Sequence, residues 1–179
     1  MTEITPDIFE TEAMQHIDDL YRTASRLTMS QTDAEDLVQE TYMQAWKSFE
    51  NYEPGTNCRA WLYKIMFHVV HHHRRKQFRY VSATVEADEL GLEDTLRYEP
   101  PVAEYLSEEE VLAALDRLPE HYRDVVLLVD VEELSYKEAA AALDVPIGTV
   151  MSRLSRGRAV LRGELAGVAP DYGVVRRRA

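Results

Sequence analysis

Apolar side chains recur at helical spacing along most of this chain, separated by two clear interruptions. The spacing predicts one helix from residue 7 to about 29, a second from Thr32 to about Phe49, and a third from about Cys58 to Arg79. Between the second and third, Pro54-Gly55 marks a loop because both residues interrupt a helical pattern. These elements predict a first all-α domain over residues 1–80.

The helical pattern lapses between residues 81 and 106, where acidic residues crowd the chain and Gly91 and Pro100-Pro101 break it. A charged segment of this length repels itself, so we expect a flexible acidic linker there. The pattern resumes over residues 107–166 and predicts a second small helical domain. The remaining residues, 167–179, contain three consecutive arginines at 176–178 and are predicted to form a disordered basic tail.

Three Ser/Thr-x-x-Glu patterns mark predicted helix starts. In a capping box, the hydroxyl and the carboxylate each accept from a backbone amide that the helix leaves unpaired. The pairs are Thr32 with Glu35, Ser107 with Glu110, and Ser135 with Glu138.

The last of these opens a predicted helix-turn-helix. Asp144-Val145-Pro146 breaks the chain, and Pro146 suits the first position of a new helix. On that second helix, the outward side is predicted to carry small polar and basic residues, which permits close approach to DNA in a major groove. They are Thr149, Ser152, Ser155 and Arg156, with Arg153 at the edge. The alternative is a helical hairpin with a solvated basic side.

Charge is distributed unevenly along the chain. The sequence has 32 acidic and 20 basic residues and a formal net charge of −12, which argues against indiscriminate nucleic-acid binding. Nevertheless, residues 58–80 carry six bases and no acid, and residues 145–179 carry seven bases and two acids. These two basic segments are therefore the candidate contacts to phosphate.

The third predicted helix combines basic and aromatic residues, as surfaces for single-stranded nucleic acid do. Its candidate residues are Arg59, Tyr63, Lys64, Phe67, His71, Arg74 and Arg75. An ordinary core position remains an open alternative for both aromatic rings. The outward side of the second helix is acidic and polar instead, which suits either solvent or a basic partner.

Other chemistries find little support in the sequence. Cys58 is the only cysteine, which excludes an intramolecular disulfide. His68, His71, His72 and His73 invite a metal hypothesis, but no accompanying cysteine or HExxH pattern supports it, so we expect neither metal nor cofactor. No apolar run has the length of a membrane span, and the acidic N-terminus is unlike a signal peptide, so we expect a cytoplasmic protein.

Two sets of motifs resemble the extracytoplasmic-function (ECF, group 4) sigma factors of the bacterial sigma-70 family. The segments 33–46 (DAEDLVQETYMQAW) and 59–65 (RAWLYKI) resemble their promoter-melting domain, region 2. The segments 118–126 (LPEHYRDVV), 134–140 (LSYKEAA) and 146–154 (PIGTVMSRL) resemble their helix-turn-helix domain, region 4. Two independent motif sets in this order are far more specific than one helix-turn-helix.

The resemblance implies three groups of site residues. Binding to the polymerase β′ subunit is implied for Asp36, Gln39, Glu40 and Gln44. Contact with the −10 element and single-stranded DNA is implied for Asn51, Tyr52, Asn57, Arg59, Tyr63, Lys64, Arg74 and Arg75. Contact with the −35 element is implied for Thr149, Ser152, Arg153, Arg156, Arg158 and Arg162.

The function implied is that of an alternative sigma factor without catalysis of its own. It would bind core RNA polymerase through the β′ and β subunits, recognise promoter DNA, and be controlled by an anti-sigma factor. The competing hypothesis is a helix-turn-helix regulator that grips duplex DNA without polymerase. A third, a histidine-metal hydrolase, would require bound metal and a pocket, and the sequence lacks a nucleophile–base pair at motif spacing.

Overall fold

A computed structural model of the chain describes residues 6–80 and 107–168. The predicted linker and the segment 169–179 of the predicted tail lie outside the described residues. The described ranges contain α-, 3₁₀- and π-helical elements and no β-strand, which confirms the predicted all-α class. One boundary is corrected: residues 167 and 168 belong to the last helix rather than to a disordered tail.

The first domain contains four α-helices. They are α1 (Pro6–Ala13), α2 (Ile17–Thr28), α3 (Gln31–Ser48) and α4 (Cys58–Tyr80). The single helix predicted for residues 7–29 is wrong, because a 3₁₀ turn at Met14–His16 separates α1 from α2. That turn lets α1 fold back, so that Phe9 packs edge-on against the ring of Phe49 at 5.0 Å between ring centroids.

Helix starts follow the capping chemistry, with one misplacement. Both capping boxes of the second domain are confirmed, at Ser107 and at Ser135, each with glutamate three residues later. The one predicted at Thr32 is wrong: α3 begins earlier, with Ser30 as its N-cap accepting from the amide of Asp33 at 3.4 Å. Serine and threonine are both favoured N-caps, and serine is the better of the two, in agreement with the observed start at Ser30.

The second domain comprises α5 (Glu108–Asp116), α6 (Glu120–Val126), α7 (Tyr136–Leu143) and α8 (Ile147–Val168). A π-helical turn over Leu127–Val131 continues α6. A π turn places one extra residue in a helical turn and rotates the side chains that follow it. The chain then leaves the helix at Glu132, whose side chain is directed into the first domain as described below.

The predicted helix-turn-helix is present as α7 and α8. Asp144 ends α7 in the left-handed conformation with φ 54°, a region that aspartate tolerates better than most residues. The amide of Val145 then donates to the carbonyl of Ala140 at 3.1 Å and closes the turn. Val150 and Leu154 are buried beneath α8, which leaves its opposite side outward.

The two domains pack against each other, with α4 of the first domain against α7 of the second. Each side has a dense apolar interior, around Leu20, Leu62 and Met66 in the first domain and around Leu127 and Leu154 in the second. The contact between them is different in character, because hydrogen bonds and ion pairs cross it. That contact surface contains several of the residues predicted to hold DNA.

Candidate nucleic-acid interface

The first turns of α8 present the outward surface predicted for a recognition helix. Ser152 is exposed, whereas Thr149, Arg153 and Arg156 are half-buried along the same helix. Gly148 is exposed, and a Cβ placed there would meet no atom within 4 Å. Small residues and open space at the start of α8 would let the helix approach a DNA groove closely.

The two flanking arginines of α8 have different surroundings. Arg158 binds Asp130 at the end of the π turn, with Nε to Oδ2 at 3.0 Å. That hydrogen bond raises the pKa of Arg158 above its ordinary value. Arg162 is half-buried one turn further along. For Arg158 to contact a phosphate, it would have to exchange the carboxylate of Asp130 for the phosphate.

The predicted polymerase-docking residues share the outward side of α3. Asp36, Gln39 and Gln44 are exposed, and Glu40 is half-buried with Oε2 3.0 Å from Nε2 of His73. Met43 and Trp46 lie beside them, each 50% exposed. The acidic side is therefore also markedly apolar. The ring of Trp46 packs perpendicular to that of Phe9, with 5.1 Å between the ring centroids.

The loop before α4 is held by its own side chains. Tyr52 is buried, stacks on Phe49 at 5.3 Å between ring centroids, and donates from its hydroxyl to the carbonyl of Thr56. Tyr52 therefore anchors the loop instead of presenting a ring to solvent. Asn51 is exposed, and Asn57 begins α4 by accepting from the amide of Ala60 at 3.2 Å.

Two predicted single-strand contacts at the start of α4 are hydrogen-bonded to the second domain. Asn57 donates to Oε1 of Glu138 at 2.8 Å. Arg59 donates to the backbone carbonyl of Glu132. These two contacts link the start of α4 to the segment that leads into α7 and to α7 itself. The bond from Asn57 also contributes to a lowered pKa of Glu138, of which the larger cause is the capping hydrogen bond from Ser135.

Further along α4, Arg74 is bound in the same way by α6. Its Nη1 lies 2.7 Å from Oδ2 of Asp124, and its Nε lies 3.3 Å from Oε2 of Glu120. Only 17% of the Arg74 side chain and 4% of the Asp124 side chain are exposed. Removal of one partner from a buried ion pair of this kind leaves the other charge buried without compensation, which strongly destabilises the fold.

The aromatic rings predicted on α4 are buried in this arrangement. Tyr63 and Phe67 have no exposed surface, so the core alternative describes both positions here. The hydroxyl of Tyr63 lies 3.3 Å from Oγ1 of Thr23 and faces the carboxylate of Glu132. Burial, followed by this carboxylate, raises the pKa of Tyr63 far above its ordinary value.

Two further basic residues of α4 line a cleft of about 970 Å³ between α4 and the helix-turn-helix. Lys64 and Arg75 contribute from α4, and Arg153 contributes from α8. The half-buried ring of Trp61 lies on the same side of α4. The cleft therefore combines residues predicted for the −10 element with one predicted for the −35 element.

Neither the metal hypothesis nor a membrane span gains support from the described residues. Within residues 6–80 and 107–168, no three histidine, cysteine, aspartate or glutamate side chains are placed to hold a metal ion. His73 instead faces Glu40, and His71 lies 3.8 Å from Asp124. In the same ranges, no helix is long and apolar enough to cross a membrane.

Cys58 is buried at the start of α4, and its thiol is expected to react slowly. Burial, together with the charge of Glu12, raises its pKa to about 11. At pH 8, alkylation by iodoacetamide should be about 100-fold slower than in the urea-unfolded chain, because less thiolate is present. Mass spectrometry over time measures both rates, and equal rates would contradict the buried position.

Known proteins resemble this chain in both halves. The family model described as Sigma-70 region 2 matches residues 13–80, and the one described as Sigma-70, region 4 matches residues 108–161. The ECF RNA polymerase sigma factor EcfG of Rhodopseudomonas palustris is 33% identical over 168 residues, covering 93% of this chain and 91% of that protein. The ECF RNA polymerase sigma factor SigE of Mycolicibacterium smegmatis is 41% identical over 159 residues. That match covers 85% of this chain, which spans 59% of the SigE length.

Among solved structures, the sigma factor RpoE of Bartonella quintana, crystallised with the anti-sigma factor NepR, has a similar fold. The TM-score is 0.69 at 30% sequence identity, and the match covers 89% of this chain and 97% of RpoE. The region 2 match falls on the four-helix first domain, and the region 4 match falls on the second domain, which contains the helix-turn-helix. The chain belongs to the ECF sigma factors of the sigma-70 family.

Proposed function

We propose that this chain is a dissociable promoter-specificity subunit of bacterial RNA polymerase, acts in the cytoplasm, and catalyses no reaction itself. The observation that carries the proposal is the presence of both sigma-70 regions in one chain, at residues 13–80 and 108–161. The relatives SigE and EcfG are both named as ECF RNA polymerase sigma factors. Core polymerase would bind the α3 side, and promoter DNA would bind α4 and α8.

The proposed division of labour assigns one DNA element to each domain. The first domain, residues 1–80, would hold the −10 element through Asn57, Arg59, Lys64, Arg74 and Arg75. The second domain, residues 107–166, would read the −35 element in the duplex through the outward side of α8. Since both contacts depend on a fixed separation, polymerase would raise the affinity by setting that separation.

Control by an anti-sigma factor is part of the proposal. RpoE, the structural relative described above, was crystallised with such an inhibitor. Asn57, Arg59 and Arg74 are already bonded to groups of the second domain. This packing of the two domains hides groups proposed to bind DNA, which supports control by an inhibitor. An inhibitor that binds both domains would stabilise that arrangement.

Transcription by purified core polymerase on a mixed promoter library tests the proposal. Addition of the chain should yield transcripts from a defined promoter subset that core enzyme alone does not produce. The competing hypothesis, a regulator independent of polymerase, predicts tight binding of the isolated chain to a duplex site instead. Absence of polymerase binding together with such duplex binding would overturn the proposal.

Replacement of Arg156 by alanine should weaken recognition of the −35 element. Arginine pairs with guanine through two hydrogen bonds in the major groove, and loss of one such contact costs about 1 kcal/mol or more, at least about fivefold. Promoter competition in transcription measures the change. Arg117→Ala is the control, because Arg117 is bound to Glu164 away from the outward side of α8. Unchanged promoter preference in Arg156→Ala would remove this assignment.

A further inference from the structure

One carboxylate of the second domain is inserted into a pocket of the first. Glu132, directly after the π turn, has only 6% of its side chain exposed. Thr23 and Tyr63, which lie beneath it, are fully buried. A buried carboxylate is strongly destabilising unless donors or cations surround it. The surroundings of Glu132 therefore have to be a site for a negative charge.

Three groups of the first domain satisfy that requirement. The hydroxyl of Thr23 donates to Oε1 of Glu132 at 2.6 Å. The hydroxyl of Tyr63 lies next to that of Thr23, with 3.3 Å between the two oxygens, and faces the same carboxylate. Nη1 of Arg59 lies 3.9 Å from Oε2, and the guanidinium also donates to the backbone carbonyl of Glu132.

Two contacts within the first domain hold the guanidinium of Arg59 in place. Its guanidinium lies over the ring of Tyr63, 5.9 Å from the centroid, and Nη1 is 3.5 Å from Oδ2 of Asp19. A cation held in this way, next to two buried hydroxyls, can receive an anion without large rearrangement. The first domain therefore carries a preformed pocket for an anion, whose donors and cation could bind a carboxylate or another anion.

We propose that Thr23, Arg59 and Tyr63 form a binding pocket for a backbone phosphate of the promoter strand, and that Glu132 occupies it as an internal substitute. A phosphate offers the same negative charge and acceptor oxygens as the carboxylate, and arginine and hydroxyl groups are common contacts to the DNA backbone. The pocket lies at the start of α4, beside the loop that ends at Asn57. The two occupants exclude each other. The inference rests on the proposed function, to which it adds Thr23 and a competing group.

Glu132→Gln tests the inference, because it keeps the shape of the side chain and removes its charge. Glu133→Gln is the matched control: Glu133 is the next residue, exposed, and changes the net charge equally. The probe is a fluorescein-labelled single strand of 12 nucleotides of mixed sequence, and the isolated full chain is titrated. We expect Glu132→Gln to bind about tenfold more tightly, because the pocket can then take one phosphate that Glu132 excludes in the native chain.

Salt dependence and a second substitution identify the pocket. The logarithm of the association constant for the oligonucleotide is plotted against the logarithm of the salt concentration. The slope for Glu132→Gln should be steeper than that for the native chain by about 0.7, the value for one additional phosphate contact to a single strand. Thr23→Val, which keeps the shape of the side chain and removes the hydroxyl, should reverse most of the gain when combined with Glu132→Gln. Equal tightening by both glutamine variants, or no loss in the double variant, would overturn the inference.

Solution X-ray scattering supplies a readout that does not involve DNA. The radius of gyration should increase in Glu132→Gln and in Thr23→Val alone, and stay unchanged in Glu133→Gln. If circular dichroism shows that Glu132→Gln is unfolded, Thr23→Val carries this test, and an unchanged radius overturns the inference. Transcription assays stay separate, so failure to bind polymerase would remove the proposed function and leave the oligonucleotide result to decide the pocket.

Discussion

Reversal of the charges at Asp36 and Glu40, by substitution of both with arginine, is expected to weaken binding to core polymerase about 100-fold. Both carboxylates lie on the outward side of α3, where Asp36 is exposed and Glu40 is half-buried, and the proposed docking would place them against a basic partner. Like charges placed against each other at an interface cost several kcal/mol, and 100-fold corresponds to about 2.7 kcal/mol. Fluorescence anisotropy of labelled chain with core enzyme measures the affinity.

The control must change net charge equally without touching that side of α3. Glu10→Arg with Glu50→Arg meets this requirement, because both residues are exposed in the same domain and belong to other elements. Arginine favours helices, so Asp36→Arg and Glu40→Arg should leave the helical circular dichroism signal intact. Normal binding by the docking variant, or an equal loss in the control, would contradict the docking role of α3.

The sequence predicted the elements of this fold well where local chemistry determines them. The capping boxes at Ser107 and Ser135 and the break at Pro146 each depend on neighbouring residues, and each is confirmed. The 3₁₀ turn at Met14–His16 was missed, because it accompanies the packing of Phe9 against rings that are distant in the sequence. Local spacing carries no information about such a contact.

The candidate site was predicted in outline but not in its partners. Basic residues of α4 and α8 could be read from charge and spacing, whereas the acidic groups that bind them could not. Glu132 and Asp124 are far from Arg59 and Arg74 in sequence, and only the packing of the two domains brings them together. Thr23 was missed for a related reason: a threonine among core positions of a helix gives no sign that its hydroxyl faces a carboxylate.

The acidity of the chain has two uses in this arrangement. On α3, Asp36 and its neighbours remain outward and available to a partner. In the second domain, Asp124 and Glu132 pair with arginines predicted to hold DNA, and Glu138 accepts a hydrogen bond from Asn57. A net charge of −12 is thus compatible with the proposed DNA binding, because part of the negative charge is internal and, in that proposal, gives way to phosphate.

Substitution of Gly157 by leucine is expected to destabilise the second domain by about 3 kcal/mol. At this point α8 crosses α6 so closely that a Cβ on Gly157 would lie 3.0 Å from Cγ2 of Val126 and 3.2 Å from Cβ of Tyr122. Val126 is buried, and the nearest Tyr122 atom is at the base of its side chain, so neither can move without displacing a helix. Overpacking of this kind typically costs 1–3 kcal/mol, and leucine adds three further carbons beyond Cβ.

Gly163→Leu on the same helix is the matched control. A Cβ there meets no atom within 4 Å, and replacement of glycine by a strong helix former should stabilise α8 by up to about 1 kcal/mol. Urea unfolding followed by circular dichroism gives both changes in the free energy of unfolding. We expect opposite signs, with weaker −35 recognition in Gly157→Leu because displacement of α8 moves Thr149, Ser152 and Arg156 together. Equal effects at the two glycines would contradict the close crossing of α6 and α8 on which the helix-turn-helix depends.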